Sequence, residues 1–104
     1  MKNIMKMAIY SLLGIAILSS MSFASAPKGR MIYIKKMKAV CGFTGEKFTR
    51  KHTQDEWKEI YDAGSFSKEA ANICPGLKLK PSFINDVYDF AYIFASDSGN
   101  VPSC

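Results

Sequence analysis

Three cysteines and one histidine, Cys41, Cys74, Cys104 and His52, hold most of the reactive chemistry open to this 104-residue chain. A thiolate is a nucleophile and a soft metal ligand, and beside an imidazole it can form a nucleophilic pair. The spacing favours neither use. No two cysteines form a Cys-x-x-Cys pair, so neither a thioredoxin-like centre nor a zinc site is supported. Nothing in the spacing brings Cys41 to His52, and a single histidine leaves no multi-His metal site. His52 sits just before Thr53, where an exposed residue beside a helix start is expected. Asp55, Glu56, Glu59 and Asp62 fall at helical spacing beside Lys58 and read as a solvated helix face, not a metal or acid-base site. A Cys-dependent enzyme is therefore the weakest reading, and no catalytic residue is assigned. A disulfide is a further use open to the cysteines.

That use depends on compartment, and the N-terminus speaks to it. Lys2 and Lys6 precede the apolar stretch MAIYSLLGIAILSSMSF, and the small residues Ala24-Ser25-Ala26 follow. This is the build of an export signal. Cleavage is expected after Ala24, because cleavage after Ala26 would leave Pro27 at the new N-terminus. No cysteine lies in the tail of the signal, so no lipid anchor is expected, and removal of residues 1–24 leaves no stable membrane anchor. Residues 25–104 would then form one small domain, periplasmic or secreted, near the size at which an apolar core needs a covalent staple. All three cysteines lie in that part, which predicts one disulfide and one leftover thiol.

The exported part holds twelve Lys and Arg against nine acids, a formal charge of +3. Lys28, Arg30, Lys35, Lys36 and Lys38 crowd its start, while Asp86, Asp89 and Asp97 mark its end, giving a molecule with one basic side. Nucleic acid is not an expected partner, since no Gly-rich or aromatic-basic binding motif accompanies the charge.

Positioning falls to helices. Tyr33, Met37, Val40 and Cys41 share one face of a helix over 30–41, with Ile34 beside them. The segment GFTGEKFTRKH reads as a loop with one short turn near Lys47 to Arg50. Thr53-Gln54-Asp55-Glu56 is a capping box that starts a helix with Trp57, Ile60 and Tyr61 as its stripe, stopped by Ala63-Gly64. A short third helix, capped by Ser65 or Ser67, aligns Phe66, Ala70, Ile73 and Cys74 and ends before Pro75. The last helix starts near Pro81 or Ser82. Its two adjacent rows, Phe83, Val87, Phe90, Phe94 and Ile84, Tyr88, Ala91, Ala95, make it the core helix. The tail SDSGNVPSC should fray unless Cys104 ties it down. The fold class is all-α, with about four helices.

The order of these parts resembles a class I cytochrome c over most of residues 28–96. Gly29 and Tyr33 match the pair at which the first and last helices of that family cross. Met37-Lys38-Ala39-Val40-Cys41 stands where the family has its Cys-x-x-Cys-His haem attachment, and Cys74-Pro75 where it has an axial Met before Pro. The motif is degenerate: Met37 and Val40 cannot form thioethers. The resemblance implies a small cytochrome-like helical fold and no covalent haem, and no cofactor is expected. With Cys41 and Cys74 at the two axial positions, it implies that they face each other and bond, with Cys104 as the alternative partner for either. The function implied is an accessory or protein-binding module beside a respiratory or redox protein. The alternative is an electron carrier holding haem without thioethers, through Cys41, Cys74 or His52, or through Met31 or Met37.

Overall fold

The computed structural model describes residues 26–102, so the export-signal reading of residues 1–24 and any role of Cys104 lie outside it. The regular elements among the described residues are all helical, without a strand, and the fold is an all-α small domain. Five helices build it.

Helix α1 comprises an α-helical run Ala26–Ile32, a π-helical turn Tyr33–Met37 and a closing turn Lys38–Cys41. It starts four residues before the expected boundary. Pro27 is tolerated there because an amide in the first turn has no intrahelical acceptor. The helix stops at Gly42, whose φ of 79° is left-handed, with its amide donating to the Lys38 carbonyl at 2.8 Å. The π turn has one readable consequence. The Lys38 amide reaches back five residues to the Tyr33 carbonyl, so every later side chain is set back around the axis. Tyr33 and Met37 are buried as the apolar spacing predicts, but Val40, expected in the same face, is 44% exposed.

Helix α2, Gly45–Thr49, occupies the segment expected to be a loop with one turn. Helix α3, Gln54–Asp62, is opened by the capping box: Thr53 Oγ1 accepts from the Glu56 amide at 3.2 Å, and Glu56 Oε1 accepts from the Thr53 amide at 2.8 Å. The Thr53 amide, more than any other group, holds the Glu56 carboxyl below its ordinary range. Helix α4, Phe66–Ile73, begins at Ser65, whose side chain makes no cap bond; its carbonyl instead accepts from Glu69. After a loop that buries Leu77 and Leu79, the 3-10 turn Pro81–Phe83 leads into α5, Ile84–Ile93.

Helix α5 is central, packing on α1 along one side and on α2, α3 and α4 elsewhere. The approach to α1 is closest at Gly29. A Cβ there would lie 1.9 Å from the Asp86 carbonyl oxygen and 2.8 Å from Phe90 Cβ, so only the hydrogen of glycine fits. Around this crossing the core is aromatic: Tyr33, Phe48, Trp57, Phe66 and Phe90 are buried, with neighbouring rings 5.5 to 6.0 Å apart.

Within the described residues the tail has bonds of its own. Ser96 donates its amide to the His52 carbonyl at 3.1 Å, Asp97 accepts from the Gln54 amide at 2.9 Å, and Pro102 is buried.

The Gly29 contact yields a direct expectation. Gly29→Ala must push backbone from backbone, and should destabilise the fold by about 3 kcal/mol or prevent folding. Urea unfolding followed by far-ultraviolet circular dichroism checks this, with Ala70→Gly as a core substitution that leaves the crossing intact.

Candidate functional site

Cys41 closes α1 and Cys74 follows the last residue of α4, and both helix ends arrive at one point. Their sulfurs are bonded at 2.02 Å, with Cα atoms 4.5 Å apart across 33 residues of sequence. The π turn contributes to this, since it fixes the rotation at which the last turn of α1 presents Cys41. Pro75, which cannot continue a helix, fixes the other side. Cys74 has no exposure and belongs to the core cluster, while Cys41 is half-buried at its edge. Closing so long a loop stabilises the fold by about 3 to 4 kcal/mol on the chain-entropy estimate.

The bond decides what these residues can do. While it stands, neither sulfur is a thiolate, so neither can ligate a metal or attack an electrophile. Both also sit at helix C-termini, where the dipole disfavours an added negative charge. The site is a structural link and has no nucleophile of its own.

His52 is placed elsewhere and differently from expectation. It is half-buried, not exposed: its Nε2 lies 2.6 Å from Glu69 Oε2, its Nδ1 3.8 Å from Glu56 Oε1, and its ring meets Trp57 edge-on at 4.8 Å. Its own carbonyl receives the Ser96 amide. His52 therefore pins the α2-α3 linker to α4, to the core and to the tail. Glu69 lies 17 positions away, a separation that no local pattern announces. Met37 is fully buried and Met31 is 42% exposed. Among the described residues no three His, Cys, Asp or Glu side chains are grouped to hold a metal ion.

The described residues form open clefts, of which two bear on the site residues. One, of about 400 Å³, lies where Ala26, Pro27 and Arg30 of α1 meet Ile93, Phe94 and the tail; the other, of about 260 Å³, lies between Tyr61, Phe66 and Ile84. Cys41, Cys74 and His52 line neither. The carboxylates of α3 behave as the solvated face that their spacing implies, with Asp62 paired to Lys58 at 2.7 Å. No described helix is long and apolar enough to cross a membrane.

Beside the second cleft, Tyr61 and Tyr88 stack at 4.0 Å, and the Tyr61 hydroxyl donates to Asn85 Oδ1. Burial pushes the Tyr88 phenol up to about 12, with Tyr92 adding to the shift. Tyr61 belongs to α3 and Tyr88 to α5, so the repetition of aromatics along α5 does not reveal the stack.

No family model, curated protein or solved structure matches the chain.

Two outcomes follow. Peptide mapping without reductant should recover Cys41 linked to Cys74, and thiol titration of the oxidised, denatured protein should count one free cysteine; a peptide joining Cys104 to either would contradict the pairing. Second, a phenol held up to about 12 in the fold but ionising near 10.0 when unfolded favours the folded state below pH 10, and this contribution is lost as pH rises toward 12. Tyr88→Phe should therefore flatten the fall in stability between those limits, measured by urea unfolding at stepped pH.

Proposed function

We propose that this chain is an exported helical protein of cytochrome-like build that carries no covalent haem and serves as an accessory, protein-binding module beside a redox system. The observation that carries the reading is the Cys41–Cys74 bond. It joins the two positions at which the resemblance puts axial ligands, and so uses the groups that would otherwise face an iron. Two further features support it. Gly29 and Tyr33 sit at the crossing of the first and last helices, where the Tyr33 ring lies 6.0 Å from Phe90. Met37 and Val40, at the thioether positions, have no thiol to add to a haem vinyl group.

With no free nucleophile at Cys41 or Cys74, the work assigned to the molecule is recognition, not catalysis. The electron-carrier alternative has first to break the Cys41–Cys74 bond, or to take His52 from its contact with Glu69. Covalent closure of the helix ends suits a protein that must keep one surface shape outside the cell's reducing interior.

The test is to express the full chain with its leader in a host that matures c-type cytochromes and to purify the exported product. The expected product has the mass of residues 25–104 less two hydrogens and shows no Soret absorption. A Soret band that stays with the protein through purification would establish the haem-binding alternative, and retention of residues 1–24 would overturn export by cleavage.

A further inference from the structure

After α5 the backbone turns back toward the start of α1, and a set of bonds holds that reversal. Ser98 donates its amide to the Ala95 carbonyl at 3.0 Å and its hydroxyl to the same carbonyl at 2.8 Å. The Ser98 hydroxyl oxygen in turn accepts from the Asn100 amide at 3.1 Å, and Asn100 Nδ2 donates to the Ile93 carbonyl at 3.2 Å. Asn100 is thereby held against the last turn of α5. The next two residues, Val101 and Pro102, form one wall of the cleft of about 400 Å³, facing Pro27 and Arg30 of α1 and Ile93 and Phe94 at the end of α5.

The chemistry of these walls is lopsided. The side chains of Pro27 and Pro102 offer only ring carbons, and Ile93 and Val101 add more hydrocarbon. The Phe94 ring is held edge-on to buried Phe90, with centroids 5.5 Å apart, so one aromatic wall is rooted in the core. Arg30 is the charged side chain of the lining, and no acid shares the lining with it. A guanidinium carries five N-H donors in a planar fork, so Arg30 can keep its partner within the protein and also meet a carboxylate. The volume falls within the range of about 300 to 1,000 Å³ usual for small-molecule sites, which pair apolar walls with a few placed polar groups. The cleft beside Tyr61 differs on this point. Its polar lining is Tyr61, Ser67 and Asn85, and it lacks a charge that would select an anion.

We propose that the cleft between the start of α1, the end of α5 and the tail binds a small organic anion, an apolar ring bearing a carboxylate. The ring lies against Phe94 and the two prolines, and the carboxylate meets Arg30. Charge complementarity selects this ligand over neutral or cationic molecules of the same shape. Apolar walls select it over a wholly polar anion, which would give up its hydration for the donors of a single side chain.

The test titrates cinnamate and its uncharged counterpart, cinnamamide, into the purified, isotope-labelled exported protein and follows amide chemical shifts. Cinnamate should shift the amides of Arg30, Phe94 and Val101 and bind about tenfold more tightly than cinnamamide at low salt. Arg30→Gln should abolish that preference, whereas Lys68→Gln, an equal change of charge on α4, should retain it. Arg30 is half-buried, and its replacement can disturb the fold, so Val101→Asp supplies a second reading. Val101 is 61% exposed and tolerates the change; the new carboxylate should weaken cinnamate about fivefold and strengthen binding of cinnamylammonium. Equal affinities of the unaltered protein for cinnamate and cinnamamide would overturn the proposal, as would shifts confined to Tyr61 and Ile84 or no binding at millimolar probe. Capture by phosphatidylglycerol vesicles that Val101→Asp abolishes would also overturn it, by making a lipid surface the occupant. Circular dichroism checks that each variant folds.

Discussion

The covalent bond between Cys41 and Cys74 fixes the end of α1 against the end of α4, and the remaining packing is organised within that closure. Between the two cysteines lie α2, α3 and α4, each ten residues or shorter and none able to persist alone in water. Outside the loop, α5 inserts against all of them and meets α1 at Gly29. One end of α1 is therefore held covalently and the rest by a contact that admits only a hydrogen atom. These two constraints set the distance across which Tyr33, Phe48, Trp57, Phe66 and Phe90 must pack.

Polar groups inside this core are satisfied locally. The Tyr33 hydroxyl donates to the Phe43 carbonyl at 2.6 Å, and the Trp57 indole N-H donates to the Thr49 carbonyl at 2.9 Å. Both acceptors belong to the connection between α1 and α3, so the aromatic core also holds its own loops. His52 extends the same logic outward, with one ring serving Trp57, Glu69 and Glu56. The result is an interior with no free thiol at the disulfide, beneath a surface on which Lys35, Lys36, Lys38 and Lys47 make no ion pair among the described residues.

Local chemistry in the sequence marks several elements well. The Thr53 capping box, the stop at Gly64 and the apolar rows of α5 each depend on residues within one or two turns, and all three take the form their patterns imply. Long-range and phase-dependent features are different in kind. Val40 faces water because a π turn resets the helix register, and no residue type between Tyr33 and Met37 announces that turn. The contact of His52 with Glu69 joins the α2-α3 linker to α4 and leaves no local trace. Pairing of Cys41 with Cys74 follows from the resemblance to a cytochrome, whereas cysteine number alone left three pairings open. The start of the tail is bonded to the α2-α3 linker at His52 and to the first residue of α3, Gln54, which composition cannot reveal.

The most direct measurement of the central claim is the equilibrium stability of Cys104→Ser in urea, determined with and without reductant. The substitution removes the third thiol, so reduction acts on the Cys41–Cys74 bond alone. Loss of about 3 to 4 kcal/mol on reduction, or loss of the fold, is the predicted result. Superimposable unfolding curves, with reduction verified by mass, would contradict the account by showing that the helices hold their places without the bond.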